Sequence, residues 1–310
     1  MKTHCIACES PNVDRLGPLP AFPKDFLGVP LNGDLKAGCL YRCRNCTLRF
    51  RVPTPTAEQL MKYYSHLPTE QLWRHEPDRI VWRRIVQILE TCPEKSILDV
   101  GCFRGDFLKS LGEGWRRFGI EPSADARREA GSNGITIIGN NVETVDSDAF
   151  QFGAIILTDV IEHLTRPFEA LHKLSRMLKP GGKLIIFTGN VDALSWRFSG
   201  LEYWYSALPE HVAFFSAAWF IWAAPKLNGT VRLLQRMSSS HTTILDRLDE
   251  SLKNIAYVIY HRLNALPPFA AVLPKIPVIQ RIAKWTNCWW TSAKDHILVA
   301  LTKSDVSEER

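Results

Sequence analysis

Three sets of residues in this 310-residue chain have the types and spacing that chemistry needs. The first is a pair of matched turns, Cys5-Ile-Ala-Cys8 and Cys43-Arg-Asn-Cys46. A C-x-x-C turn aims two sulfurs at one point, and a second such turn completes a tetrahedron around Zn²⁺. The stretch between them is rich in Pro and Gly (Gly17, Pro18, Pro20, Pro23, Gly28, Pro30, Gly33, Gly38), so it cannot build a core of its own. Metal is expected to supply its folding energy, in a closed structural site. A redox reading is weaker, because one C-x-x-C would suffice and neither pair follows a βαβ pattern. Four unrelated buried thiols would not explain the duplicated spacing. Cys39, Cys92, Cys102 and Cys288 show no pairing logic.

The second set lies in Ser96-Ile-Leu-Asp-Val-Gly-Cys-Phe-Arg-Gly-Asp-Phe-Leu-Lys109. Ile97, Leu98 and Val100 predict a buried strand. Gly101 and Gly105, with Cys102 in the same turn, let a ligand approach the backbone closely before a helix opens at Asp106. Alone, such a turn is shared by many nucleotide folds. Asp99 narrows the choice, since a carboxylate there repels a pyrophosphate but orients a cationic amino-acid ligand. Glu121-Pro122 ends the next predicted strand, about 20 residues beyond the turn, where an acid accepts both ribose hydroxyls of an adenosine ligand. Asn141, Asp159 and Gly189 fall at the ends of later strands, on the same edge.

The third set is Glu210-His211, in Leu208-Pro-Glu-His-Val-Ala-Phe-Phe-Ser216. His211 can take a proton near neutral pH, and Glu210 can orient it or act itself. Adjacent residues on an extended segment point opposite ways, so both serve one substrate only if this loop bends. The plainer reading has His211 capping a helix near Ser216. His163 is read as structural, and Tyr203, Trp204 and Tyr205 either wall the acceptor or pack on the sheet.

To position these groups the sequence predicts strands at 97–100, 116–120, 135–138, 154–158 and 183–187, alternating with helices. That is the pattern of a doubly wound, mostly parallel α/β sheet, whose ligands bind beyond the strands' carboxyl ends. Further strands are expected at 230–237 and 295–301. Residues 47–50 predict a short strand, stopped by Pro53 and Pro55. Thr56 and Gln59 predict a capping box at the start of a largely helical stretch to about residue 90.

The segment Ile97–Leu108 resembles motif I of the class I, Rossmann-like S-adenosylmethionine (SAM)-dependent methyltransferases, whose usual form is Asp-x-Gly-x-Gly-x-Gly. Asp99, Gly101 and Gly105 match, and Phe103 replaces the middle glycine. Ile135–Val142, Ile155–Leu164 and Leu178–Phe187 resemble, in family order, the adenine-contacting loop, the fourth-strand motif and the fifth-strand turn. The resemblance implies SAM as cofactor. It also argues against an NAD(P)-dependent dehydrogenase, since Gly-x-Gly-x-x-Gly is lacking. The cysteine module and Pro209-Glu210-His211-Val-Ala-Phe-Phe-Ser216 are similar to segments of deoxysugar C-methyltransferases acting on nucleotide-linked sugars. That likeness implies that His211 and Glu210 deprotonate a carbon beside a keto group, helped by Tyr63 or Tyr64. The loop between the cysteine pairs matches poorly and the family's long C-terminal domain is not seen. O-methylation of a sugar, polyketide or quinone-like lipid, and a SAM-binding regulator without chemistry, stay open.

The resulting organisation is a zinc-binding module (1–55), a helical linker or cover (56–92), a methyltransferase core (93–240 and 294–303) and a helical insertion (241–293). The insertion mixes Trp285, Trp289 and Trp290 with Lys275, Arg281 and Lys284, and is read as a lid, a homodimer contact or a peripheral membrane contact. A net charge of +6 is too small for a dedicated nucleic-acid binder, so a small-molecule acceptor is expected. Without an apolar leader, and with Val212–Ala224 shorter than the roughly 20 residues of a membrane span, the expected location is the cytoplasm.

Overall fold

The computed structural model describes residues 3–23, 25–26, 29–31, 33–65, 80–239, 243–276 and 290–304. Cys288, Trp285, Trp289, Arg281 and Lys284 lie outside them. In chain order the elements begin with β1 (Val13–Pro18), β2 (Asp25–Phe26), β3 (Val29–Pro30), β4 (Cys39–Cys43) and β5 (Arg49–Val52). Then come α1 (Ala57–Tyr64), α2 (Ile80–Leu89), β6 (Ser96–Val100), α3 (Asp106–Ser110), β7 (Arg116–Ile120), α4 (Ala124–Ser132) and β8 (Thr136–Gly139). The chain continues through β9 (Phe152–Thr158), α5 (Pro167–Arg176), β10 (Leu178–Gly189), α6 (Leu194–Ser199), β11 (Ala213–Phe214) and α7 (Ala217–Ala223). It closes with β12 (Gly229–Met237), α8 (Ile244–Asn264), α9 (Pro267–Ala270) and β13 (His296–Lys303).

Seven strands form the main sheet in the order β12-β13-β10-β9-β6-β7-β8. Its pairs are parallel from β10 to β8, while β13 runs antiparallel to both β10 and β12. The middle strands are apolar on both faces, as a strand covered by helices on both sides must be. Alternation then splits the core. Leu98, Ile155, Leu157 and Ile186 join one cluster with Leu171 and Leu174 of α5 and Phe220 of α7. Ile97, Ala154, Ile156 and Ile185 join the other with Val81, Ile85 and Leu89 of α2. The strand order turns back at β6, so the crevice for a ligand opens at the carboxyl ends of β6 and β9.

A second sheet, β1-β4-β5-β11, has a consequence for the site. Its last member, β11, follows the main-sheet strand β10 in the chain, more than 150 residues after β5. Ala213 and Phe214 pair antiparallel with Phe50 and Arg49, so the cysteine-bearing residues share a sheet with the Glu210–His211 loop.

The expected capping box is present: Thr56 Oγ1 accepts from Gln59 N at 3.1 Å and Gln59 Oε1 from Thr56 N at 2.9 Å. The helix it starts ends at Tyr64, and residues 66–79 of the predicted helical stretch lie outside the described ones. Ser216 caps α7 with its own side chain, so His211 has no capping duty. The 21-residue α8 leaves Leu245, Leu248, Leu252, Ile255 and Ile259 exposed at spacings of three and four. Among the described residues no helix is long and apolar enough to cross a membrane.

Candidate functional site

Three sites emerge, and the first is the sulfur quartet. Cys5 Sγ lies 3.5 Å from Cys46 Sγ, and Cys8 Sγ lies 3.5 Å from Cys43 Sγ. All four ligand atoms fall within 4.8 Å of one another. A tetrahedron with Zn–S of about 2.3 Å has edges of about 3.8 Å, so the quartet fits that ion. The two turns are built alike. In one, Glu9 N donates to Cys5 O and Cys5 N to Ser10 O; in the other, Thr47 N donates to Cys43 O and Cys43 N to Leu48 O. Glu9 and Thr47 both sit at positive φ, 56° and 66°, closing each turn. Amides of Ala7, Asn45 and Cys46 point at the sulfurs at 3.4–3.5 Å, a setting that stabilises thiolates. The hydrogen bond with Cys46 pulls the Cys5 thiol down to about 5 and holds Cys46 up.

The second site is the turn after β6. Gly101 N and Cys102 N both donate to Ile120 O, at 2.7 and 3.2 Å, which ties the turn to the end of β7. Gly101 is needed where it stands: at φ 76° a Cβ there would lie 2.7 Å from Val160 Cγ2. Phe103 takes the left-handed conformation itself, φ 48°, where the motif's middle glycine would stand. Glu121 Oε2 accepts from Phe103 N at 2.9 Å and Oε1 from Ser123 N at 2.8 Å, so the acid shapes both the turn and the start of α4. Asp99 lies beside it, buried. Burial first, and the like charge of Glu121 second, push the Asp99 carboxyl far above its ordinary range. Burial also raises Glu121, against the two amides and Arg127. Two buried acids facing each other suit a ligand that brings an ammonium group and hydroxyl donors.

The other expected cofactor residues are placed less directly. Asn141 Oδ1 accepts from Glu143 N at 3.0 Å, shaping the loop after β8, while Val142 is buried in the core. Pro122 O accepts from Arg127 at 2.7 Å. Asp159, at φ 54°, turns toward His296, whose Nε2 is 3.4 Å from Asp159 Oδ1.

The third site gathers groups from four parts of the chain. Tyr64 Oη is 2.8 Å from His163 Nδ1, and the His163 and His211 rings are 5.0 Å apart. His211 Nδ1 lies 2.9 Å from the Tyr205 carbonyl oxygen. A carbonyl only accepts, so Nδ1 carries the proton and Nε2 of the neutral ring is left as an acceptor. Burial, then the neighbouring His163, hold His211 well below the usual histidine range, and burial also lowers His163. Burial first, and then the charges of Glu210, Glu162 and Glu121, push the Tyr64 hydroxyl well above the usual tyrosine range and hold it protonated. The loop does bend: residues 209–210 form a turn, and Glu210 and His211 are both buried. Glu210 Oε2 is buried without a hydrogen-bond partner. Tyr63, the other tyrosine considered, hydrogen-bonds Asp34 instead.

Sequence reasoning missed several members. Glu162 accepts hydrogen bonds from Tyr205 and, at 2.8 Å, from Thr188. Burial, then Asp159, hold it up to about 7. Tyr205 is therefore packed and also part of the cluster. Arg51 is fully buried behind the loop. Its signal was a cation between Phe50 and Val52, on the face of a short strand opposite Phe50. His296 lies between two acids, its Nδ1 2.7 Å from Asp295 Oδ2. Its signal was the Asp295-His296 pair opening an otherwise apolar strand.

His296 gives a pH prediction. Burial pulls its pKa down, but Asp295 and Asp159 outweigh burial and lift it to about 10. The unfolded value is about 6.5. This contribution is therefore full below pH 6.5 and lost as pH rises through about 10. Denaturant unfolding from pH 7 to 10 is expected to show stability falling in the wild type and a flatter profile in His296→Gln. Equal slopes would remove His296 from the linkage.

The sheet, with its crevice at the carboxyl ends of β6 and β9, defines a doubly wound α/β protein. Residues 72–232, just over half of the chain, match the family model described as a methyltransferase domain, and the chain belongs to that family. The ubiquinone biosynthesis O-methyltransferase of Alkalilimnicola ehrlichii is 31% identical over 140 residues, 41% of this chain and 55% of that protein. The tRNA U34 carboxymethyltransferase of Methylococcus capsulatus is 26% identical over 165 residues, 50% of this chain and 48% of that one. The chain thus spans about half the length of the curated relatives it matches. Among solved structures, the (4+2)-cyclase SpnF shares the fold with a TM-score of 0.52 and 15% identity, covering 81% of this chain and 97% of that one.

Proposed function

We propose that this methyltransferase removes a proton from a small-molecule acceptor with His211 and then methylates it. The observation that carries this reading is the Nδ1 hydrogen bond to the Tyr205 carbonyl, which leaves His211 Nε2 as an acceptor in a buried cluster. SAM supplies, when bound, an electrophilic methyl group on a sulfonium. Glu121 takes the ribose hydroxyls and Asp99 the cationic amino-acid end. Gly101, Cys102 and Gly105 allow close approach, Pro122, Asn141 and Val142 border the adenine, and Asp159 borders the acceptor side.

A base beside a hydroxyl donor suits a carbon next to a keto group, as in a nucleotide-linked or lipid-linked sugar. His211 Nε2 takes the carbon-bound proton and Tyr64 Oη hydrogen-bonds the enolate oxygen; bound SAM would supply the methyl group to the enolate carbon, its S–CH3 bond breaking to leave S-adenosylhomocysteine. Glu210 holds the electrostatic setting of the two rings. The proton leaves from His211 to solvent. The second reading is O-methylation of a quinone-like lipid or polyketide, favoured by the local likeness to the ubiquinone relative. Incubating the protein with S-adenosylhomocysteine and a keto-deoxysugar nucleotide in D₂O separates the two. Deuterium uptake beside the carbonyl is expected. Methylation of a catechol hydroxyl in a parallel incubation with SAM, with no exchange into any keto sugar, would put the second reading first. No turnover with either class would favour a SAM-binding regulator.

The cysteine quartet holds one Zn²⁺ in a closed structural site, and the reduced thiols fit a cytoplasmic setting. Elemental analysis is expected to give about one zinc per chain; a folded, metal-free protein would end this reading. The exposed stripe of α8 supports a contact role for residues 241–293, as a lid, a dimer face or a membrane-surface element.

A further inference from the structure

Arg51 follows the second cysteine pair by five residues and ends inside the protein, with none of its surface exposed. Nothing in methyl transfer calls for a buried cation there. Its guanidinium is spent on carbonyls. Nη1 donates to Ala37 O at 2.6 Å, Nη2 to Ser206 O at 2.7 Å and Leu208 O at 3.1 Å, and Nε to His211 O at 3.1 Å. Its backbone amide donates to Val212 O at 3.0 Å, and the Phe22 ring covers the guanidinium at 4.5 Å. Three of the four side-chain acceptors lie in the 206–211 loop. They flank Tyr205, whose carbonyl fixes the His211 ring, on one side and reach His211 itself on the other. One planar fork thus closes the loop around the histidine.

We propose that Arg51 is the positioning residue that sets the Ser206–Val212 loop and through it the His211 ring, making the cysteine module the mount of the acceptor site. The proposal takes its functional meaning from the reading of His211 as base, but the placement it describes is testable without that reading. Lys cannot reproduce the fork, because its point charge lacks the planar donor spacing. In Arg51→Lys, hydrogen exchange is expected to rise at least tenfold across 206–212 and stay unchanged across 97–121. Ring ¹⁵N spectra, with His211 assigned by its loss in His211→Gln, are expected to move from the Nδ1–H form to a mixture. Calorimetric SAM affinity is expected to stay within about twofold. If Arg51→Lys does not fold, Phe22→Leu, which strips only the aromatic cover, is expected to shift both readouts in the same direction. A folded variant with an unchanged His211 tautomer and unchanged loop exchange would overturn the proposal. So would SAM affinity falling tenfold or more alongside the loop, since that marks a general loss of structure. Failure of His211→Ala to lose turnover would sink the base assignment while leaving these results standing.

Discussion

His211→Ala is expected to lose methyl transfer by about 10²- to 10⁴-fold, the usual worth of a positioned general base, while binding SAM as tightly as the wild type. The reason is geometric. His211 clusters with Tyr64 and His163, and its anchor is the Tyr205 carbonyl, not any group of the β6 turn. Deuterium exchange into a keto acceptor should vanish with it, because exchange needs only the base. The direction of the pH profile also follows. Burial and His163 keep the His211 ring neutral well below the usual histidine range. Turnover is therefore expected to hold on the acid side past pH 6.5, where a free histidine would already be protonated. Full activity in the variant would remove His211 as base and turn attention to Glu210, whose Oε2 is buried without a partner.

Glu121→Ala is expected to weaken SAM binding by at least about 10- to 100-fold. Hydrogen bonds to a charged acceptor contribute about 1.5–3 kcal/mol, and each 1.4 kcal/mol is tenfold. The loss should be larger than the ribose contacts alone imply, because the same carboxylate receives the amides of Phe103 and Ser123. Removing it frees Phe103, a non-glycine residue at φ 48°, to leave the conformation that keeps the turn open. Calorimetric titration with SAM and S-adenosylhomocysteine measures this directly, with NAD(H) as a control that should not bind. An unchanged affinity would take Glu121 out of the ribose site. Together the two variants separate the halves of the active centre, since one should lose turnover without affinity and the other affinity first.

Much of this protein was written in short stretches of sequence. The strand–turn–helix at Ser96–Ser110, the acids Asp99 and Glu121 at two strand tips, the capping box of Thr56 and Gln59, and the twin cysteine turns are all local. Each depends on backbone geometry over a few residues, so residue type and spacing suffice to predict it. The alternation of strands and helices then leaves the doubly wound sheet as the way to bury every apolar face.

The cluster of Tyr64, His163 and His211 was not legible in that way. Tyr64 meets His163 across 99 residues of sequence, and Arg51 meets the His211 carbonyl across 160. No periodicity connects such pairs; they are brought together by how helices and sheets pack. That packing also chose Tyr64 over Tyr63, since adjacent positions on a helix face different neighbours. It bent the Glu210–His211 loop and drew His296 between two carboxylates. Above all it placed β11 beside β5, joining the cysteine module to the loop of the candidate base. Local geometry thus set the glycine turn after β6 and the sulfur quartet, whereas long-range pairing decided which side chains share a buried, low-dielectric space, and with it their protonation.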